Sequence, residues 1–154
     1  MKSGYCNMQA RRATLEDIGT LIGLGKEMIE ESPVYNQMTP DYQKQYRVFL
    51  GFILNPEALV LILEDGSGFF VGHVEDTLWF TETYAWEDLL FVQKDKRRSN
   101  RGVVLMKGFE DWAKEKQTAE IRIGFTTEVD VTNTITLFEQ LGYSTCGAFF
   151  RKVV

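Results

Sequence analysis

The chain has 154 residues, 44% of them hydrophobic and 25% charged, with 13 glycines and 3 prolines. That balance fits one globular domain spanning residues 1–154 and excludes disorder, collagen-like repeats and a coiled coil. A net charge of −5 argues against a surface devoted to nucleic acid. No apolar run approaches the roughly 18–20 residues of a membrane helix, and Met1 to Asn7 lacks the apolar core of a secretion signal. The two cysteines, Cys6 and Cys146, exclude a disulfide scaffold and point to a reducing cytoplasm. With a single histidine besides, the chain lacks the ligands that a structural zinc site usually takes.

In chain order, Met8 to Ala13 reads as a short first strand. Thr14-Leu15-Glu16-Asp17 has the hydroxyl and the carboxylate of a capped helix start. Ile18, Leu21, Ile22, Met28 and Ile29 then recur at helical spacing, against the low propensity of Gly19, Gly23 and Gly25. Ser32-Pro33-Val34-Tyr35 breaks that helix. A second starts near Thr39-Pro40-Asp41, with proline where a first turn tolerates it, and carries Tyr42, Tyr46, Phe49, Leu50 and Ile53 to Asn55-Pro56. Ala58 to Leu63 is an apolar strand, Asp65-Gly66-Ser67-Gly68 a turn, and Phe69 to Val74 the returning arm of a hairpin. Thr77 to Phe80 either extends that arm or begins another strand.

Ala85 to Val92 is a strongly apolar strand that includes Glu87 and Asp88. Beyond a basic segment, Leu105, Met106, Phe109, Trp112 and Ala113 form the buried stripe of an amphipathic helix. Ile121, Ile123 and Phe125 alternate with Arg122 and Gly124 as a half-buried strand. A last helix runs from about Val131 to Leu141 and stops at Gly142, a left-handed C-cap, and Ala148 to Val154 reads as a closing strand. This order specifies a mixed α/β (α+β) sheet.

The basic segment is the sharpest local feature. Lys94, Lys96, Arg97, Arg98 and Arg101 place five of the 17 basic residues in eight positions, opposed only by Asp95. They precede a helix whose first turn presents unpaired N–H groups and the positive end of its dipole. Arg97-Arg98-Ser99-Asn100-Arg101-Gly102 therefore suits a pyrophosphate, and Asn100 tolerates positive φ nearly as well as glycine. Neither Gly-x-x-x-x-Gly-Lys-Ser/Thr nor a helix-opening Gly-x-Gly-x-x-Gly is present. A solvated basic loop is the plain alternative. A nucleic-acid patch is disfavoured by the lack of interleaved aromatics.

This segment resembles the acetyl-CoA site of the GNAT N-acetyltransferase superfamily, whose signature is Arg/Gln-x-x-Gly-x-Gly/Ala after the fourth strand. Arg97 fits its first position and Gly102 its last, while Asn100 stands where the first glycine is usual. Arg12-Ala13-Thr14 with Asp17 resembles the family's opening strand and helix, and Glu87 to Val92 its central strand. Leu137-Phe138-Glu139-Gln140-Leu141-Gly142-Tyr143 resembles its helix end, so the likeness follows the family's order through nearly the whole chain.

The resemblance implies a GNAT fold, a mixed and mostly antiparallel sheet of six to seven strands flanked by about four helices. Its fourth and fifth strands splay to admit the pantetheine arm. It implies that the backbone of Leu90, Phe91 and Val92 bonds pantetheine as an added strand would. Amides from Arg97 through Arg98, Ser99, Asn100, Arg101, Gly102 and Val103 would take the pyrophosphate. Asn133 lies two positions from the family's usual cofactor-touching Asn, where Val131 stands, and is carried over with Phe138 as a cofactor contact.

The implied activity is direct transfer of an acetyl group from acetyl-CoA to an amine, with no metal. The amine must be neutral to attack, so a general base is required, and a backbone N–H at a strand bulge stabilises the oxyanion. Glu87 and Asp88 are the candidates, and alternation sends them to opposite faces unless a bulge intervenes. Glu87 is favoured, because Asp88 shares parity with Leu90 and Val92. Many relatives carry a tyrosine as general acid where this chain has Phe138; Tyr84 and Tyr143 read better as packing aromatics, and His73 as a packed or edge histidine. The thiolate then leaves unassisted, or another hydroxyl serves, or the protein is a catalytically weak or inactive acyl-CoA binder acting through a protein partner. Cys146 has no activating neighbour, and no Gly-x-Ser-x-Gly elbow occurs.

Acceptor recognition in the family comes from the first two helices and their connection. Here that is the acidic and aromatic stretch from Glu30 to Met38, with Ser32 and Tyr35 as candidate substrate contacts. It suits an amine-bearing acceptor, either a small molecule or a protein. Glu31-Ser32-Pro33-Val34-Tyr35 also resembles GNAT-like proteins of tailed bacteriophages, and a homodimer is common among relatives.

Overall fold

The computed structural model describes residues 7–154; Cys6 and the leader-free start expected before it lie outside the described residues. One sheet carries the strands in chain order: β1 (Ala10–Arg12), β2 (Ala58–Leu63), β3 (Gly68–Asp76), β4 (Thr83–Val92) and β5 (Glu120–Ile123). Neighbours are antiparallel except β5, which runs parallel to β4. The helices are α1 (Ile18–Glu31), α2 (Tyr42–Leu54), α3 (Arg101–Glu115) and α4 (Val131–Gln140). Among the described residues no helix is long and apolar enough to cross a membrane.

Two apolar layers hold the sheet. On one face Ile18, Leu21 and Met28 of α1 and Phe49 of α2 pack on Val60, Phe69, Val71 and Phe91. On the other, Leu105, Met106, Phe109 and Trp112 of α3 pack on Leu61, Phe70 and Ala85. Every residue of β2 is buried, which explains its unbroken apolar run where a half-buried strand would alternate. The sheet is thus mixed and mostly antiparallel between helices, as the sequence implies, but it has five strands among the described residues, not six or seven.

Two expected strand segments account for the difference. Thr77 to Phe80 is the β3–β4 connection, drawn tight by the Thr77 hydroxyl, which donates to the Phe80 carbonyl (2.8 Å) and accepts from its amide (3.1 Å). Leu78, Trp79 and Phe80 are left exposed there. Ala148 to Val154 forms no ladder with the four residues of β5, and a side chain rather than backbone pairing ties it to the sheet. That side chain is Phe149, whose ring meets Trp86 edge-on at 6.3 Å.

The decisive irregularity lies between β3 and β4. Val71 pairs with Leu89 but Gly72 pairs with Glu87, so Asp88 is one residue too many and bulges out of the ladder. Alternation resets there. Leu89 and Phe91 face α1 and α2, while Leu90 and Val92 join Ala85 on the α3 side. Glu87 takes the α3 side with them, opposite Gly72, and Asp88 goes to the other face. The parity that linked Asp88 to Leu90 and Val92 is therefore overturned, because it assumed an unbroken strand.

Beside the bulge, space is short. A Cβ on Gly72 would lie 2.8 Å from the Trp86 carbonyl oxygen and 3.0 Å from the Phe109 ring. Gly72→Ala is expected to destabilise the fold by about 1–3 kcal/mol through overpacking. Urea unfolding checks this as a lower midpoint at an unchanged slope.

Candidate active site

β4 and β5 pair from Tyr84 opposite Glu120 to Glu87 opposite Ile123 and then separate, while β4 runs on to Val92. The splayed fourth and fifth strands implied by the sequence are therefore present. The gap is a cleft of about 310 Å³ closed by the start of α3 and by α4. Gly102 lets these two helices meet, since a Cβ there would sit 3.0 Å from Leu137. The amide of Val104 is the first to find its helical acceptor, the Asn100 carbonyl (2.9 Å), and Ser99 Oγ approaches the Arg101 amide at 3.4 Å. Gly102 and Val103 thus bring first-turn N–H groups without helical acceptors to the cleft wall.

Of the residues singled out from the sequence, all but Asn100 and Ser32 line this cleft. Several do so in unexpected roles. The guanidinium of Arg97 grips Glu31 of α1 (2.5 and 2.7 Å), its Nε donates to the Val92 carbonyl (2.9 Å), and it lies over the Phe91 ring. Arg101 donates to Ser67 Oγ (2.8 Å) and Asp65 (2.6 Å) in the β2–β3 turn. Burial works to raise the Asp65 pKa, but bonds from Ser67 and Arg101 hold it at about 2. The two arginines clamp the loop, and the exposed arginine at the cleft edge is Arg98, beside the exposed Lys96. The left-handed residue is also Arg98 (φ 60°), while Asn100 has φ −77°. Asn133 lines the cleft, with its amide donating to Asp130 (2.7 Å).

The adjacent carboxylates occupy different environments. Glu87 is 2% exposed, its Oε2 has no hydrogen-bond partner, and it borders the cleft. Burial pushes its pKa up to about 8; a bond to the Gly124 backbone opposes this and the charge of Asp88 adds to it. Asp88 is half-buried and bonds His73 Nδ1 (2.6 Å), and His73 Nε2 bonds Glu75 (2.7 Å). Burial raises the Asp88 pKa, partly offset by the His73 bond. Burial alone would lower that of His73, but bonds to Asp88 and Glu75 outweigh it and raise it.

His73 is a packed histidine, edge-on to Phe52 at 6.4 Å, and sequence reading missed its bond to a carboxylate that lines the cleft. The available signal was the pair His73-x-Glu75, which strand alternation puts on one face. The carboxylates hold opposite sides of the ring, and among the described residues no group of three metal-ligating side chains is placed to hold a metal ion.

The profile of the acetyltransferase (GNAT) family matches residues 22–143. The chain belongs to this family. Similar solved structures include the aminoglycoside acetyltransferase AAC(6')-Iy in complex with the bisubstrate analogue CoA-S-monomethyl-acetylneamine. It is 18% identical with a TM-score of 0.75, over 96% of this chain and 99% of that one. A transcriptional regulator from Bacillus halodurans C-125 is 14% identical with a TM-score of 0.78, over 96% and 100%. A ribosomal-protein-alanine N-acetyltransferase from Brucella melitensis biovar Abortus 2308 is 15% identical with a TM-score of 0.71, over 96% and 97%. At these identities the likeness is one of fold. No curated protein sequence matches the chain.

In this GNAT chain Phe138 packs edge-on to Phe125 at 6.3 Å and against Tyr143 at 6.0 Å. The Tyr143 hydroxyl donates to Glu110 (3.0 Å), and burial with that carboxylate pushes its pKa up. Tyr84 lies under the Arg122 guanidinium, 3.9 Å from ring centroid. Tyr35 does reach the cleft and shares a 2.6 Å hydrogen bond with Thr126 Oγ1. Ser32 is fully buried and donates to the Thr127 carbonyl (2.6 Å), fastening the α1–α2 connection beside the cleft.

The raised pKa of Glu87 has a signed effect on stability. Below its ordinary value of 4.5 the side chain is protonated in folded and unfolded chains alike. Between 4.5 and about 8 only the folded chain keeps the proton, so stability falls as pH rises through that window. His73 and Asp88, also raised, act in the same direction. Removing one titrating group is expected to flatten the slope by up to about 1.4 kcal/mol per pH unit. Urea unfolding of wild type and Glu87→Gln from pH 5 to 8 measures the difference.

Proposed function

We propose that this GNAT protein is an acetyl-CoA-dependent N-acetyltransferase that acetylates a primary amine by direct attack, with Asp88 as general base and Glu87 as general acid. The observation that carries the reading is the bulge, which puts Glu87 on the α3 side with Leu90 and Val92 and leaves Asp88 on the α1 and α2 side, where β4 and β5 part. The cleft fits the co-substrate. The β4 edge from Leu90 to Val92 can pair with an extended amide arm, and the Gly102 and Val103 amides suit a pyrophosphate. Arg98, not Arg97 or Arg101, is then the arginine free to meet phosphate. Acetyl-CoA supplies the acetyl group on a thioester with a good leaving group.

Asp88 takes a proton from the incoming ammonium, and the bond to His73 passes charge toward Glu75, which is exposed to solvent. Glu87, still protonated near neutral pH, gives its proton to the departing sulfur on the cleft side, where Phe138 cannot. Two protons leave nitrogen by way of Asp88, one before attack to free the neutral amine and one after the C–N bond forms. Glu87 delivers one proton to sulfur as the C–S bond breaks and is reprotonated, so one proton is released to solvent overall. This division reverses the preference for Glu87 as base, which rested on the parity that the bulge removes.

The fold neighbours that act on aminoglycosides and on a ribosomal protein support amine acylation as the class of reaction. Phe138 favours a second reading, an acyl-CoA binder without turnover that acts through a protein partner. A cytoplasmic setting rests on the cysteine count, a bacteriophage source on Glu31 to Tyr35, and a homodimer on the habit of relatives.

Thiol release with acetyl-CoA and an amine panel tests these roles. Asp88→Asn and Glu87→Gln are each expected to lower kcat by about 10²–10⁴ while the acetyl-CoA melting shift persists. His73→Gln is expected to move the acidic limb of the pH–rate profile. Wild-type kcat in both carboxylate variants would sink the assignment, and a melting shift without any turnover would select the binder. Arg98→Glu is expected to weaken that shift without lowering the stability of the free protein. Arg101→Glu is expected to lower stability even without ligand.

A further inference from the structure

On the far side of Asp88 a second cavity, of about 520 Å³, lies between α1, α2 and the sheet. It meets the cleft at Tyr35, Asp88 and Leu89, which border both. Its size is that of small-molecule sites, which run about 300–1,000 Å³. Val71 and Leu89 form its floor, and Met28, Phe49 and Phe52 form its walls. Met38 and Val48 carry the apolar lining to the mouth, where they are 61% and 46% exposed.

Its negative charge is sparse. Asp41 is at the mouth, but its carboxylate caps α2 by accepting from the Lys44 amide (2.9 Å), and Lys44, a cationic residue, lines the same cavity. The acidic residues of α1, which hinted at a cationic acceptor, are committed elsewhere. Glu27 accepts from Gln93 (2.9 Å), Glu30 pairs with Lys26 (3.9 Å), and Glu31 is held by Arg97 (2.7 Å). Among the described residues that line the cavity, Asp88 is the carboxylate at its inner end.

We infer that the acceptor is a monoamine carrying an aryl or alkyl body, the body filling this cavity and the amine meeting Asp88 where the two chambers join. The inference rests on the N-acetyltransferase reading and narrows its substrate. A polyamine or aminoglycoside would leave further ammonium groups among apolar side chains without counter-ions, and the Lys44 ammonium would repel them. An aryl or alkyl body loses nothing by the same burial.

The test uses the full chain with acetyl-CoA and five probes: tryptamine, phenethylamine and hexylamine against spermidine and neamine. The first three are expected to give kcat/KM at least about tenfold higher. Val48→Lys, at the exposed mouth, is expected to lower kcat/KM for tryptamine by about tenfold while leaving the acetyl-CoA melting shift in place. Faster turnover of spermidine or neamine overturns the inference and leaves the acetyltransferase reading standing. If no amine releases thiol, that reading fails by itself, and calorimetric titration of tryptamine into the CoA-loaded protein decides the cavity. Binding that Val48→Lys weakens upholds the ligand class; no heat overturns it.

Discussion

A single surplus residue in β4 governs the chemistry of this sheet. In an unbroken strand Glu87 and Asp88 would already face opposite ways, but the bulge decides which layer each enters. Asp88 turns toward α1 and α2 and finds a histidine; Glu87 turns toward α3 and finds almost nothing. The ladder gives up one regular pair there, and Gly72, without a side chain, lets the partner strand close the gap beside the Phe109 ring. Bulges often re-aim a side chain at a functional site, and here one bulge re-aims two.

The two carboxylates then diverge in chemical character for reasons visible in their neighbours. An acid with one unpartnered oxygen in an apolar wall keeps its proton, because burial there outweighs the single backbone bond from Gly124 that favours ionising. A carboxylate bonded to an imidazole that is itself bonded to a second carboxylate has a path along which charge can leave. Groups driven apart in this way suit the acid and base halves of the proposed transfer. The scheme also gives Phe138 a plain meaning. Its ring completes an aromatic contact with Phe125 and Tyr143, and under that proposal Glu87 would supply the proton that a tyrosine would donate.

Local patterns announced what local forces build. The stripe of Leu105, Met106, Phe109 and Trp112 became the buried face of α3, Asp65 to Ser67 fell in the hairpin turn with Gly68 opening β3, and Gly142 took its left-handed cap at φ 89°. The strand-to-helix step at Arg97–Gly102 was legible as the rim of the cleft. Partnerships between distant residues were not legible. Arg97 meets Glu31 across 66 positions and Arg101 meets Asp65 across 36, and nothing in either neighbourhood names the partner. The register of β3 on β4 was hidden for the same reason, and with it the contact between His73 and Asp88. The tail from Ala148 has the composition of a strand, but pairing depends on a free edge elsewhere, which composition does not encode.

The clamping arginines change how the basic segment works. Were Arg97 and Arg101 extended toward a ligand, the loop before α3 would be loose until something bound. Instead Arg97 ties it to α1 and Arg101 ties it to the β2–β3 turn, so the amides of Gly102 and Val103 are positioned beforehand. Ordering those groups in advance removes a cost that binding would otherwise carry. The same tie has a second consequence. The helix that holds Glu31 also supplies Met28 to the wall of the acceptor cavity, so the cleft and that cavity share one frame. A shift of α1 outward would strain the Arg97 fork and open the apolar wall together. In the proposed reaction the place where amine and thioester meet at Asp88 is thus framed by ion pairs that touch neither.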